Sequence, residues 1–362
     1  MCCFRFQNFL FDKYGSTSVV IPVKNGIPYI EDCLDSLLNQ TFEGTWEVCV
    51  YNDGSTDATV ACIEKFVPKF AARGVHLKIR SGSESGGVGY AKNRAVEMGC
   101  GRYICFCDAD DLSDSMRIHA QYDLARSCVD SSSVFIGSNF CRLPQGSTDR
   151  YTKWANGLSN DQLRCQVFTS HGPTLIAPTW FISRDLYDHL NGFKEDIRTG
   201  YPEDLEFFYR ALNLQNVTFS KVEKVLVTYR YHEGCASLGV PENAIWKMRI
   251  DRFCDKVLPF WKTLTIWNAG KQGKRFFKSL SEECKARVLS FCDVDEKKIN
   301  RGIFEEYDEA ARVVRWRIPI VHVRDARPPV VICVKLDMTG GDLERLVAES
   351  GWIEGRDFIH FS

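Results

Sequence analysis

Nothing in this sequence reaches membrane-spanning length. Its apolar runs are short and broken by charge, whereas a spanning helix needs about 20 apolar residues. Charge of one sign is not in excess either. Lys and Arg total 46 against 47 Asp and Glu, for a net charge of -1. That excludes a globally basic nucleic-acid binder and leaves room for a local basic patch. No C-x-x-C pair occurs among the 16 cysteines. No secretory leader is expected at Met1 to Tyr14, because Arg5, Asp12 and Lys13 interrupt its apolar residues and no small-residue cleavage site follows. Several cysteines (Cys49, Cys105, Cys107, Cys333) sit inside apolar strand-like runs. They are expected to be reduced core residues of a cytoplasmic protein. There is no internal repeat and no low-complexity tract.

What is present is enough for a real core. The 362 residues are 44% hydrophobic, which accommodates one large domain plus a small one, or two of middling size. The most informative stretch is Arg102-Tyr-Ile-Cys-Phe-Cys-Asp-Ala-Asp-Asp111. It begins as an apolar, aromatic run, the pattern of a buried strand. It ends in three acids. A strand puts residues i and i+2 on one face, so Asp108 and Asp110 point together. Converging carboxylates repel unless a cation lies between them, and an oxygen-rich site of this kind suits Mg2+ or Mn2+, ions that also hold substrate phosphates. The plain alternative is a solvated acidic turn.

The neighbouring chain decides between these readings. Strands are predicted at 18–23, 46–51, 76–80 and 102–111, with helices between them, and Thr174–Ile182 reads as a further strand. Ile30, Leu34, Leu37 and Leu38 form one apolar helical stripe. Alternating strands and helices argue for a right-handed, mostly parallel α/β sheet, in which ligands bind at the carboxyl ends of the strands. Asp53 and the Asp108 cluster both fall at such ends. Asn52-Asp-Gly-Ser-Thr-Asp57 is also good turn and cap chemistry by itself. Gly86-Gly-Val-Gly89 lacks the spacing and the lysine of a P-loop.

Six ordered blocks now resemble the family 2 (GT-A) glycosyltransferases. They are Val19-Val-Ile-Pro22, Tyr51-Asn-Asp-Gly-Ser-Thr-Asp57, Gly87-Val-Gly-Tyr-Ala-Lys-Asn93, Cys107-Asp-Ala-Asp-Asp111, Gly200-Tyr-Pro-Glu-Asp-Leu-Glu206 and Tyr229-Arg-Tyr-His232. The resemblance implies a GT-A domain, Rossmann-like and nucleotide-diphospho-sugar-binding, over about residues 16–260. It places Pro22, Asp53, Lys92, Asp108 and Asp110 at the donor. Asp53 matches an aspartate that reads uracil, and Asp108 matches the acid near the donor ribose. Asp110, with Asp111, matches the metal-binding acid, and His232 matches a histidine that can complete the metal shell. The alternative for His232 is a strand-end surface histidine. Lys92 stands where the family usually has arginine, keeping the charge without the bidentate fork. Asp204 matches the catalytic base, with Glu203 and Glu206 beside it. The resemblance also implies Mn2+ or Mg2+ as cofactor and inversion at the anomeric carbon. The arginine-tryptophan motif of processive members is missing, which implies one sugar per event. Trp180 is a candidate acceptor-facing aromatic, with a core role the alternative. Gly192-Phe193 is the candidate turn shaping the acceptor side.

A second, small Rossmann-like module is predicted over 263–362. Leu264–Gly273 reads as a short strand followed by a glycine turn, and further strands are predicted over Val288–Asp293 and Pro329–Lys335. Asn268 takes the place of the first glycine in G-x-G-x-x-G, which argues for a scaffold or recognition role over dinucleotide binding. Arg312, Arg315, Trp316, Arg317, His322, Arg324 and Arg327 form a basic stretch with an interleaved tryptophan. That suits RNA phosphates and an exposed base; the alternative is a solvated loop. Together with Ile266-Trp-Asn-Ala-Gly-Lys-Gln-Gly273, Phe291-Cys-Asp-Val-Asp295, Val331-Ile-Cys-Val-Lys335 and Gly355-Arg-Asp-Phe358, the whole chain resembles the queuosine-tRNA galactosyltransferases. These were earlier labelled β-1,3-N-acetylglucosaminyltransferase-like proteins. That resemblance implies UDP-galactose as donor and queuosine-modified tRNA as acceptor, with no membrane partner. Two other readings stay open. One is N-acetylglucosaminyl transfer from UDP-N-acetylglucosamine to a galactose-terminated glycan. The other is an inactive UDP-sugar-binding module.

Overall fold

A computed structural model of the chain describes residues 16–196 and 199–362. The leader expectation for Met1 to Tyr14 lies outside the described residues. The chain forms two compact units. One runs up to Leu163 and from Gly172 to Val240; the other is Arg164–His171 with Pro241–Ser362. The expected boundary at 260–263 therefore shifts to 240/241. The helix Glu242–Lys256 packs with the second unit, as does the short segment 164–171.

The first unit is built on an eight-stranded sheet. Its strands are β1 (Thr17–Val23), β2 (Trp46–Asn52), β3 (His76–Ser81), β4 (Tyr103–Phe106), β5 (Leu112–Ser113), β6 (Val134–Leu143), β7 (Phe181–Ser183) and β8 (Thr218–Arg230). They lie in the order β3-β2-β1-β4-β7-β6-β8-β5. The β3-β2-β1-β4 half is parallel. β7 runs antiparallel to both β4 and β6, and β5 runs antiparallel to β8, so the sheet is mixed. β1, β2 and β4 are buried on both faces, which explains their continuous apolar sequences.

Two predicted elements differ from what forms. The strand expected over 102–111 ends at Phe106, so the three acids lie beyond it in a turn. The strand expected over 174–182 is only Phe181–Ser183, preceded by a 3-10 turn over Ala177–Thr179. Pro178 sits in that turn and has no N–H to give a ladder. Trp180 is 0% exposed. Its Nε1–H donates to the Leu175 carbonyl at 2.7 Å, and its ring packs on Phe135, Phe193 and Phe207. Trp180 and Phe193 are thus core residues, so of the two readings of Trp180 the core one holds. A buried aromatic cannot touch a substrate while it fills the core.

The second unit carries a six-stranded sheet. Its strands are β9 (Leu264–Trp267), β10 (Val288–Asp293), β11 (Ile303–Asp308), β12 (Val313–His322), β13 (Val330–Ile332) and β14 (Phe358–His360). The order is β11-β12-β10-β9-β13-β14, parallel except for the β11/β12 hairpin. Arg315, Trp316, Arg317 and His322 of the basic stretch therefore lie on β12, while Arg312, Arg324 and Arg327 lie outside it. Arg315 pairs with Asp308 at 2.5 Å and Arg317 with Glu305 at 2.9 Å, both acids of β11. Trp316 Nε1–H donates to Glu282 at 2.9 Å.

Truncating Trp180 to alanine should cost roughly 3–5 kcal/mol, the range for a buried Trp, read as a lower urea midpoint at unchanged slope. A loss below about 1 kcal/mol, within the ordinary run of substitutions, would contradict the core placement.

Candidate functional site

The acids stand where the sheet ends. β1 lies between β2 and β4, so Asp53 and Asp108 follow the carboxyl ends of the two strands that flank it. Buried Arg117 fixes the end of β4. Its guanidinium donates to the carbonyls of Phe106 (2.5 Å) and Pro178 (2.6 Å) and to Ser113 Oγ (3.0 Å). Past Phe106 the chain turns, with Asp111 N–H donating to the Asp108 carbonyl at 3.2 Å.

Three acids converge in this turn. One carboxylate oxygen each from Asp108, Asp110 and Asp111 lie within 4.8 Å of one another. Asp111 is 1% exposed. Its Oδ1 accepts the Arg230 N–H at 2.8 Å, and its Oδ2 has no partner. A buried carboxylate oxygen without a donor is costly. Burial and the charges of Asp108 and Asp110 push the Asp111 carboxyl well above the usual range. These residues fit a divalent cation, which would satisfy the orphaned oxygen and relieve the repulsion. His232, beyond the end of β8, places Nε2 2.9 Å from Asp110 Oδ2, and its ring lies 4.7 Å from that of Tyr29.

A second group faces Asp108. Lys92, on the helix Val88–Met98, is 5% exposed and holds Glu203 Oε1 at 2.8 Å. Burial disfavours its charge, but Glu203, Asp108 and Asp204 together more than offset this and raise its pKa. Glu203 and Asp204 open the helix Glu203–Leu212, where the helix dipole favours negative charge. Burial pushes Asp204 up to about 6, with Glu203 adding and Lys92 opposing. Asp108 is likewise pushed up to about 6 by burial, with Lys92 opposing and Asp110 adding. Glu206 is committed to structure, bound by Arg210 (2.9 Å) and Lys194 (3.0 Å).

Asp53 is occupied by its own chain. Its carboxylate accepts from Ser85 Oγ (2.6 Å), Gly86 N–H (2.8 Å) and Gly87 N–H (3.1 Å). The glycine loop thus serves Asp53. Gly54 has φ +71°, and a Cβ there would come within 3.0–3.2 Å of Glu84 and Ser85 backbone. Pro22 lies on β1, opposite Tyr51.

Sequence reasoning missed three contributors. Cys235 lies beside Asp110 and His232; the H-x-x-C spacing was its signal. Arg117 had none, being one arginine in a helix. Neither had Arg142, whose guanidinium lies 4.5–5.7 Å from the rings of Phe140, Tyr151, Tyr229 and Tyr231.

This mixed sheet with acids at its central strand ends is a GT-A-like α/β fold. Comparison with solved structures agrees. The chain is similar to residues 1–349 of TarS from S. aureus, solved in complex with UDP-GlcNAc, at TM-score 0.50 and 18% identity over 76% of this chain and 84% of that one. At that identity the likeness speaks for the fold alone. Residues 18–190 match the family described as Glycosyl transferase family 2. Curated relatives include an uncharacterized glycosyltransferase of Rickettsia typhi, 28% identical over 222 residues (60% of this chain, 64% of that protein). A poly(ribitol-phosphate) beta-glucosyltransferase of Bacillus spizizenii is 34% identical over 110 residues (30% of this chain, 17% of that protein). The chain spans less than two thirds of the length of these relatives. Among the described residues no helix is long and apolar enough to cross a membrane.

Replacing Lys92 by methionine should destabilise the protein by about 3–5 kcal/mol at pH 7, since it strands buried carboxylates without their cation. The loss should shrink as pH falls through about 6, where Asp108 and Asp204 take up protons. Urea unfolding at pH 5 and pH 7.5 checks this, and an equal loss at both would contradict it.

Proposed function

We propose that this protein is a metal-dependent, inverting glycosyltransferase that moves galactose from UDP-galactose to the cyclopentene-diol of queuosine in a tRNA anticodon. One observation carries the transfer chemistry. Asp108, part of a site fit for a divalent ion with Asp110 and Asp111, and Asp204 both act through their charges on the buried Lys92. The acceptor and the galactose rest on the resemblance of nearly the full chain to the queuosine-tRNA galactosyltransferases. The cysteines agree with a cytoplasmic acceptor, since those described are free thiols.

In this reading Asp53 receives the uracil. Three of about four acceptor positions on its carboxylate are filled, leaving room for one base N–H. Asp110, Asp111 and His232 would hold Mn2+ or Mg2+, which would supply positive charge to the departing diphosphate, and Asp108 would lie near the ribose. Asp204 takes the proton of the attacking hydroxyl from the face opposite the leaving group. An acid poised at about 6 is ionised at neutral pH and still basic enough for this role. Direct displacement inverts the anomeric centre. In the C-terminal unit, tRNA phosphates would have to compete with Asp308 and Glu305 for Arg315 and Arg317. The salt dependence of binding is then shallower than free cations would give.

Asp204→Asn should lower kcat by about 10²–10⁴-fold and leave UDP affinity nearly intact. Near-normal turnover would remove Asp204 from this role. For the wild type, kcat/KM should fall as pH drops below about 6, because protonation removes the base; a flat profile down to pH 5 would contradict that. The acceptor is tested by incubating the protein with UDP-galactose or UDP-N-acetylglucosamine and tRNA with or without queuosine, then weighing the nucleosides. Hexose addition requiring both UDP-galactose and queuosine is expected. Transfer to a galactose-terminated glycan with none to tRNA would overturn the acceptor. Transfer to neither, with UDP still bound, would mark an inactive binding module.

A further inference from the structure

The cation site contains more than oxygen. Beyond β8 the chain closes a tight turn over His232-Glu-Gly-Cys235. Cys235 N–H donates to the His232 carbonyl at 3.1 Å, and His232 N–H donates to Cys235 Sγ at 3.3 Å. The turn sets thiol and imidazole side by side. One carboxylate oxygen of Asp110, a ring nitrogen of His232 and Cys235 Sγ all lie within 4.8 Å of one another. Asp110 belongs to both this trio and the Asp108–Asp110–Asp111 group. The unpartnered Oδ2 of Asp111, a residue 1% exposed, independently marks the same place as one that wants a cation. Cys235 is itself 6% exposed, yet a carboxylate and an imidazole face it where a packing cysteine would have apolar neighbours.

We propose that Cys235 is a ligand of the divalent ion, binding as thiolate beside Asp110 and His232, so that the site accepts borderline and soft ions (Zn2+, Co2+, Cd2+) as well as Mn2+ or Mg2+. The proposal rests on the metal reading above and adds the ligand that sets ion preference. Oxygen ligands suit hard ions, whereas thiolate and imidazole shift preference to softer ones. The thiol hydrogen, which now points to the Arg230 carbonyl at 3.4 Å, leaves to solvent. His232 Nε2 exchanges its contact with Asp110 for the ion.

The test uses the full chain and Co2+ as probe, read by absorption. Wild type should show a near-ultraviolet thiolate-to-cobalt charge-transfer band. Cys235→Ser should bind Co2+ without that band, and should lose at least about tenfold in Cd2+ affinity, the scale on which even outlying metal partners act. Its Mn2+ affinity should scarcely change. Cadmium NMR on the wild type reports on the same ligand without a variant, through the downfield shift that one sulfur ligand produces. Co2+ binding without the band, or a band that persists in Cys235→Ser, would overturn the proposal and leave the metal reading standing. Failure of Co2+, Cd2+ and Mn2+ alike to bind would overturn both.

Discussion

The Lys92 ammonium, buried 2.8 Å from Glu203, is the counter-charge on which the acidic end of the sheet depends. Asp108, Glu203 and Asp204 all bear on it. Without it, three carboxylates at two chain ends would repel one another in a partly dry setting, where charge interactions are several-fold stronger than in water. With it, the acids stay close enough to share a substrate. Asp108 and Asp204 still remain at about 6, because burial outweighs what one lysine supplies. A lysine is a point charge without the arginine fork. It can stabilise several carboxylates and still leave their oxygens available to other partners.

The two groups flanking Asp108 differ in how their charge is met. On the Lys92 side a protein cation is already in place. On the Asp110–Asp111 side one oxygen is left without any partner. In the proposed reaction that asymmetry would divide the labour of the displacement. The unmet side suits a cation and the phosphates it would gather. The met side would keep the proposed base, Asp204, at about 6. The scaffold supports both through the buried Arg117, which locks the end of β4, and the Arg230 N–H, which holds Asp111.

Much of this was legible in the sequence. Continuous apolar strands ending in acids marked the parallel half of the sheet and the edge where ligands gather, because burial on both faces erases alternation. Asp53, Asp108, Asp110 and Asp111 stand at or just beyond those strand ends. What the sequence hid has physical causes. The acids of β4 lie past its end because Arg117, eleven residues from Phe106 in the chain, takes the carbonyl there. β11 and β12 went unseen because arginines and acids pair across the ladder, which looks like a polar loop when read linearly. The same pairing removes Arg315 and Arg317 from a row of free cations. Trp180 shows the reverse case, an aromatic near the site that proves to be core once Phe135, Phe193 and Phe207 close around it.

In the function proposed, transfer depends on a divalent ion joining the acids of the β4 turn to a nucleotide. Calorimetric titration of UDP into the protein, with and without Mn2+, tests this most directly. UDP should bind substantially more tightly with Mn2+, and Asp110→Ala should abolish the difference while the protein stays folded. Equal UDP affinity with and without the ion in the wild type would contradict the metal's role.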